Sequence, residues 1–350
     1  MNNQLQVILG NSNRRFSGVT STMLQTMAYQ RSLCELRVLG SHNLPDPSIA
    51  IGFREAMKLG RKAEAPIIFH ARRNNEMIQA IALKTLGANV NTLFTSTAQR
   101  HHSILTKWLM GQMDAVISTC SSAASFLEKP PAIIIPHGID TRTYRPTNDR
   151  KSAWQQTGFP GDYGIGIFGR VRKQKGIGLF VNACLENLPA FPGATAIIVG
   201  AIDDEALVED CKKKAAQANL KDRIIFTAEL PFERIPELFR AMSLVCALSY
   251  NEGYGLTVLE ALASGTPVLA TTAGAWPDIL DGKPVGKLVP VGNQEAITRQ
   301  MYSLLLDQKN LEVLGKNGRA MVEQCYKIED EAQSLVNFYK SLASQQSTNN

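Results

Sequence analysis

Short apolar runs alternate with amphipathic stretches along most of the chain. In the first half, Leu5–Leu9, Leu36–Leu39, Pro66–Phe69, Asn91–Phe94, Ala115–Ile117 and Ala132–Ile135 are predicted strands. Between them, stretches near 19–31, 52–63, 74–86, 102–112 and 120–127 carry helical periodicity. The second half repeats the scheme, with strands near Gly164–Phe168, Thr195–Val199, Ile224–Phe226, Leu244–Ala247, Val268–Ala270 and Lys287–Val289. Brief apolar runs separated by helices predict parallel strands joined by right-handed crossovers, with helices on both faces of each sheet. The fold class is therefore α/β, with two doubly wound sheets.

A polar segment holding Pro146, Thr141–Arg150, interrupts the alternation. At 350 residues the chain exceeds what one core usually supports, so two domains are expected, 1–145 and 146–327. A last amphipathic segment follows over 328–344. Hydrophobic residues make up 44% and charged residues 19%, the balance of a folded soluble protein rather than a disordered one. No apolar run reaches the roughly 18 residues that would suggest a membrane span. The N-terminus lacks the basic start and long apolar stretch of a secretory signal. Six scattered cysteines without a Cys-x-x-Cys pair fit reduced thiols in the cytoplasm better than a structural zinc.

Charge is unevenly spread. Residues 1–145 hold 16 Lys+Arg against 8 Asp+Glu, and residues 146–350 hold 21 against 23. A basic first half suits an anionic acceptor or an anionic lipid surface. Nucleic acid would suit the charge too, but no recognition-helix, zinc-finger or stacking-aromatic signature accompanies it.

Chemistry concentrates in two second-half segments. Asn251-Glu252-Gly253-Tyr254-Gly255-Leu256-Thr257-Val258-Leu259-Glu260 reads as an acidic loop, a glycine-flanked turn and a helix start. The glycines let backbone approach a ligand, and the helix start offers unpaired N–H groups. A diphosphate fits there, with Glu252 free for neighbouring hydroxyls and Glu260 about two turns along the helix. In the other segment, Phe168-Gly169-Arg170-Val-Arg172-Lys173-Gln-Lys175-Gly176, a strand ends at a glycine followed by cations. Doubly wound folds bind ligands at such strand ends. Arg170 offers a bidentate fork and Lys175 a point charge.

These segments, with Pro136-His137-Gly138-Ile139-Asp140, resemble the retaining glycosyltransferases of two facing Rossmann-like domains (GT-B type), in the group of sucrose synthases and mannosyltransferases. His137 stands where that group usually has asparagine. The resemblance implies that Arg170 and Lys175 grip the donor pyrophosphate, Glu252 contacts the donor sugar, and Glu260 contacts the nucleotide ribose. It implies donor contacts at Gly253, Tyr254, Gly255 and Leu256, a last helix crossing back to the N-terminal domain, and no essential metal. Asp203-Asp204 resembles a metal motif only superficially and sits where helix caps belong.

In the first half, Gly10-Asn-Ser-Asn-Arg14-Arg15-Phe-Ser17-Gly18 follows a strand and opens a helix, as the group's glycine loop does. It lacks the Gly-x-Gly-x-x-Gly of a dinucleotide dehydrogenase. Gly18 is placed beside the donor. Arg14 and Arg15, with the second pair Arg72 and Arg73, favour an acceptor bearing carboxylate or phosphate. Many relatives place a histidine after the strand Asn91–Phe94, where this chain has Thr95. Gln99-Arg100-His101-His102 follows, and His101 is the candidate substitute at the reacting centre.

The Ser-Gly-Val-Thr-Ser-Thr, His-Ala-Arg-Arg-Asn and Thr-Ser-Thr-Ala-Gln-Arg-His segments are similar to a narrower group, the bacterial lipopolysaccharide-core mannosyltransferases. Those enzymes move mannose from GDP-mannose to the 3-deoxy-octulosonate of lipid A precursors. The implied partners are a nucleotide sugar and an acidic glycolipid, with peripheral contact to an anionic membrane surface. A UDP-sugar donor on another cell-envelope glycan, or nucleotide-sugar binding without transfer, remain open.

Overall fold

The computed structural model describes residues 5–14 and 17–344 and divides into two compact units, Met1–Gly138 with Ile328–Asn350, and Ile139–Lys327. The first unit runs β1 (Gln6–Gly10), α1 (Gly18–Gln30), β2 (Glu35–Leu39), β3 (Ala50–Ile51), α2 (Phe53–Lys62), β4 (Ile67–Ala71) and α3 (Asn74–Thr85). It continues with β5 (Val90–Ser96), α4 (Ile104–Gly111), β6 (Ala115–Ser118) and α5 (Ser121–Ala124).

Its sheet is parallel, in the order β3-β2-β1-β4-β5-β6. Successive strand residues point to opposite faces, and the core follows that period of two. Val7 and Leu9 pack on one face with Met23 and Met27 of α1. Ile8 packs on the other with Met77 and Leu83 of α3.

The second unit contains α6 (Arg150–Gln156), β7 (Tyr163–Phe168), α7 (Ile177–Asn187), β8 (Ala194–Val199), α8 (Glu205–Gln217), β9 (Ile224–Ala228) and α9 (Arg234–Ala241). After these come β10 (Met242–Ala247), α10 (Thr257–Ala263), β11 (Val268–Thr271), α11 (Trp276–Leu280), β12 (Gly286–Val289), α12 (Gln294–Leu306) and α13 (Gln308–Cys325). The sheet is again parallel, ordered β12-β11-β10-β7-β8-β9. Helix α14 (Ile328–Ser344) belongs to the first unit, where Leu335, Val336, Tyr339 and Leu342 complete the α1 side of the core.

Several expectations shift. Ala132–Ile135 makes only an isolated bridge, Ser118 to Ile134. Its backbone still hydrogen-bonds β6, with Ala132 N–H donating to Val116 O at 2.8 Å and Ile135 N–H to Ser118 O at 2.9 Å, while Ile133 and Ile134 stay exposed. Two residues, Ala50–Ile51, form the edge strand instead. The stretch 120–127 holds a single helical turn. The unit boundary lies after Gly138 rather than after residue 145, because Tyr144 is buried in the second unit, edge-on to Phe239.

His137 and Gly138 close the first unit. Glu331 of α14 accepts from the Gly138 N–H at 2.8 Å and lies 2.8 Å from His137 Nδ1. The cysteines are all free, five of them buried and Cys325 exposed.

Candidate functional site

In each unit the strand order reverses direction at one place, between β1 and β4 and between β7 and β10. Crossovers leave such a switch point on opposite sides, opening a crevice at the C-terminal strand ends. The second unit's candidate residues gather there.

Gly169–Gly176 leaves β7, and Ser249–Leu256 lies between β10 and α10. The loops are stitched together: Tyr250 N–H donates to Gln174 O at 2.8 Å, and Gln174 Nε2 donates to Asn251 O at 2.9 Å. Gly176 has φ +72, and a Cβ there would lie 2.1 Å from Leu248 O, so only glycine lets the loops approach.

Lys175, in a single tight turn Lys173–Lys175, donates from Nζ to Glu252 Oε1 at 2.5 Å. Ser249 Oγ donates to the same oxygen at 2.7 Å. Glu252 is thus held by two donors rather than left free. Gly255 has φ +87 and rests on Trp276, whose Nε1 donates to its carbonyl at 2.8 Å. A Cβ there would lie 2.4 Å from that ring nitrogen. Tyr254 is buried, and Leu256 caps α10.

Helix α10 begins only at Thr257, so Glu260 ends its first turn instead of lying two turns in. Glu260 keeps some solvent contact as a residue, yet burial of its carboxyl pushes the pKa up to about 7. The Tyr144 hydroxyl, donating at 3.0 Å, and the Lys175 charge oppose that rise. Lys175 therefore lies within electrostatic reach of both carboxylates.

Arg170 is turned elsewhere. Its guanidinium forks onto Asp203, with Nε at 2.6 Å from Oδ2 and Nη2 on Oδ1. Its side chain is half exposed, and the Asp203 carboxylate raises its pKa. Asp204 caps α8 by accepting from Leu207 N–H at 3.0 Å. Among the described residues, no three His, Cys, Asp or Glu side chains cluster as metal ligands would.

In the first unit the switch point is occupied by the buried Glu76. It accepts from Ser12 Oγ (3.1 Å), Arg72 N–H (2.8 Å) and Arg73 Nη1 (2.8 Å). Arg73 Nη2 also donates to Ser17 Oγ and Thr20 Oγ1. Arg73 is thereby committed to holding the β1 and β4 loops together. Arg72 differs: its Nη1 is buried without a hydrogen-bond partner.

Arg72 lines a pocket of about 650 Å³ at the ends of β4 and β5, with Thr95, Arg100, His101 and His102. His102 Nε2 lies 3.1 Å from Ser96 Oγ, while His101 is exposed and edge-on to Phe126. Burial, then the Arg100, Lys107 and His101 charges, lower the His102 pKa. Behind the pocket, the buried His70 joins Thr95 Oγ1 and Tyr339 Oη, 2.6 Å from each. Burial and the Arg72 charge hold its pKa well down, so its imidazole is neutral.

Arg14 is exposed beyond β1, and Gly18 opens α1 with open space where a side chain would stand. Arg15 lies outside the described residues. Sequence reasoning missed Tyr144, Ser249, Asp203 as an arginine partner, and the His70–Thr95 contact. None has a local motif. Each partner is supplied by a different strand end or loop.

The chain resembles known proteins over this same architecture. The family of glycosyl transferases group 1 matches residues 149–321. The lipopolysaccharide core biosynthesis mannosyltransferase LpcC of Rhizobium leguminosarum bv. viciae is 38% identical over 344 residues, 97% of either chain. LpsB of Rhizobium meliloti, described in the same words, is 37% identical over 97% of this chain and 98% of its own.

Among solved structures, the C-terminal domain of a glycosyl transferase group 1 family protein (LpcC) from Francisella tularensis shares 37% identity. It covers 54% of this chain and 99% of its own, with a TM-score of 0.52. Anabaena Alr3699/HepE in complex with UDP aligns over 96% of this chain and 100% of its own, at 16% identity and a TM-score of 0.84. Near-full-length identity to the two mannosyltransferases, on paired parallel sheets of the GT-B fold, makes this chain a member of the group 1 glycosyltransferases and an enzyme of that family.

Proposed function

We propose that the enzyme transfers mannose from GDP-mannose, with retention of configuration, to an acidic lipopolysaccharide inner-core acceptor of the 3-deoxy-octulosonate–lipid A type. The observation that carries this reading is the Lys175–Glu252 pair at the β7/β10 switch point. Mannose and a lipopolysaccharide-core acceptor are supported by the similarity, over 97% of the chain, to two lipopolysaccharide core biosynthesis mannosyltransferases.

Transfer breaks the bond between the anomeric carbon and a phosphate oxygen. Negative charge grows on the departing diphosphate while the ring gains oxocarbenium character. Lys175 meets that charge, and Arg170 joins it by leaving Asp203. When Lys175 turns to the diphosphate, Glu252 is released to accept from sugar hydroxyls. Glu260 accepts from the ribose, and the Gly253–Leu256 turn lies along the donor. No essential metal is required in this scheme, because the two cations supply the charge. The first unit takes the acceptor, with Arg72 and Arg14 answering its carboxylate or phosphate, beside a peripheral contact with an anionic membrane surface. His101 and His102 border that pocket.

The test is a transfer and hydrolysis assay across GDP- and UDP-sugars with the acidic lipid A precursor as acceptor. Mannosylated product from GDP-mannose is expected. Turnover of UDP-glucose or UDP-N-acetylglucosamine alone, or tight nucleotide-sugar binding with no product, would overturn it.

A further inference from the structure

Tyr144 lies just past the unit boundary, far in sequence from the two strand-end loops, yet its hydroxyl donates to Glu260 Oε1 at 3.0 Å. Among the described residues that is the one hydrogen bond the Glu260 side chain makes, and its second oxygen, Oε2, takes none. A phenylalanine would serve packing alone. A buried hydroxyl destabilises the fold unless it is bonded, and here the bond goes to a carboxylate of the switch-point site.

The phenol is held from several sides. Its ring stands edge-on to Phe239 of α9, with centroids 5.8 Å apart, and Phe239 stacks on Phe168 at the end of β7. Tyr144 N–H donates to Asp140 O at 3.0 Å. Arg319 of α13 donates from Nη1 to the Tyr144 carbonyl and to the Ala263 carbonyl, at 2.8 Å each. Ala263 ends α10, the helix that carries Glu260, so one guanidinium ties the tyrosine backbone to that helix. Burial and the Glu260 charge push the Tyr144 pKa well up, so its hydroxyl stays a donor throughout the neutral range.

We infer that Tyr144 is a positioning residue of the donor site, its hydroxyl pinning Oε1 of Glu260 so that Oε2 is aimed at the nucleotide ribose. The inference rests on the reading of Glu260 as the ribose acceptor and adds the residue that orients it. An unrestrained carboxylate must give up side-chain freedom when a ligand binds, and a hydrogen bond already in place removes that cost. The same bond favours the ionised carboxylate, the form that only accepts, over the protonated acid. Tyr144 and Lys175 are the groups that act on Glu260 in this sense, and burial opposes both. Arg319 is engaged by three backbone carbonyls and by Glu323.

Tyr144→Phe keeps the ring against Phe239 and removes only the hydroxyl. Losing a hydrogen bond to a charged group should raise the KM for GDP-mannose about tenfold near neutral pH, with kcat changed little. The pH midpoint of that KM should move up by about one unit, because Glu260 then ionises less readily. In the donor-free protein, a carbon-13 NMR titration of the Glu260 carboxyl, assigned with Glu260→Gln, should show the same upward move. In the Glu260→Gln background, Tyr144→Phe should add little to the KM defect. Near-ultraviolet circular dichroism checks that each variant is folded.

Three outcomes would overturn the inference: a KM and pH midpoint unmoved in Tyr144→Phe, a Glu260 titration that stays in place, or an equal Tyr144→Phe defect in the Gln background. A variant that only melts earlier, with KM and midpoint unchanged, belongs to the first of these and leaves Tyr144 a packing residue. If Glu260→Gln raises the KM and Tyr144→Phe does not, the role of Tyr144 fails while the ribose reading stands. If Glu260→Gln itself leaves the KM unchanged, both fail together.

Discussion

Lys175 Nζ and Glu252 Oε1 stand 2.5 Å apart, although 77 residues separate them in the chain. The pair joins the loop after β7 to the loop after β10, the two strands between which the sheet order reverses. A cation and a carboxylate so placed neutralise each other. A diphosphate arriving beside Lys175 would compete for the ammonium and free the carboxylate.

Replacing Lys175 with methionine should therefore lower turnover on the order of 10²-fold or more, with the fold intact. Arg170→Ala should lower it as well, because Arg170 is exposed and its ion pair with Asp203 carries little of the stability. Steady-state kinetics beside thermal melts checks both. Near-normal turnover in either variant would remove that residue from phosphate binding.

The carboxyl of Glu260 provides a pH test. Burial raises it to about 7 from an ordinary value near 4.5. The folded state then holds that proton more tightly than the unfolded state. Its contribution to stability is full below about 4.5 and is lost as the pH climbs through 7. Glu260→Gln should lack this component, so its stability should improve relative to wild type between those limits. Urea unfolding at a series of pH values measures the difference. If ionised Glu260 accepts from the ribose, wild-type donor KM should fall as pH rises through 7, and the Gln variant should have a higher KM with kcat less changed.

Arg72 and Arg73 are neighbours with separable consequences. Arg73→Ala leaves the Glu76 charge, fully buried, without its cation, a loss of about 3 kcal/mol or more. A clear drop in melting temperature is expected. Arg72→Ala removes a guanidinium nitrogen that satisfies no other group, so stability should change little while acceptor KM rises. The reverse pattern would reassign the pair.

Chelation tests the charge assignment from another side. With Arg170 and Lys175 as the phosphate cations, exhaustive EDTA treatment should leave transfer at its starting rate. Activity lost to EDTA and restored by a divalent ion would show that the two side chains are not sufficient.

Much of the fold was legible in the sequence. Eleven of the predicted strands match observed ones closely, because strands buried on both faces must be short apolar runs whatever surrounds them. The run Ala132–Ile135 misled: it hydrogen-bonds β6 yet forms a single bridge, and Ile133 and Ile134 stay exposed, so apolarity there signalled neither a full strand nor burial. Ala50–Ile51 was invisible because two residues carry no period.

The sequence by itself determined that Glu252, Glu260, Arg170 and Lys175 lie at strand ends and helix starts, since glycine spacing and apolar runs are local properties. Only the tertiary structure decided their partners. Lys175 meets Glu252, Arg170 turns to Asp203, Tyr144 reaches Glu260, and Arg73 is taken up by Glu76 while Arg72 is left unsatisfied at Nη1. A side chain's partner depends on which strand ends the crossovers bring together. Those neighbours are distant in the chain, so no local pattern of residues encodes them.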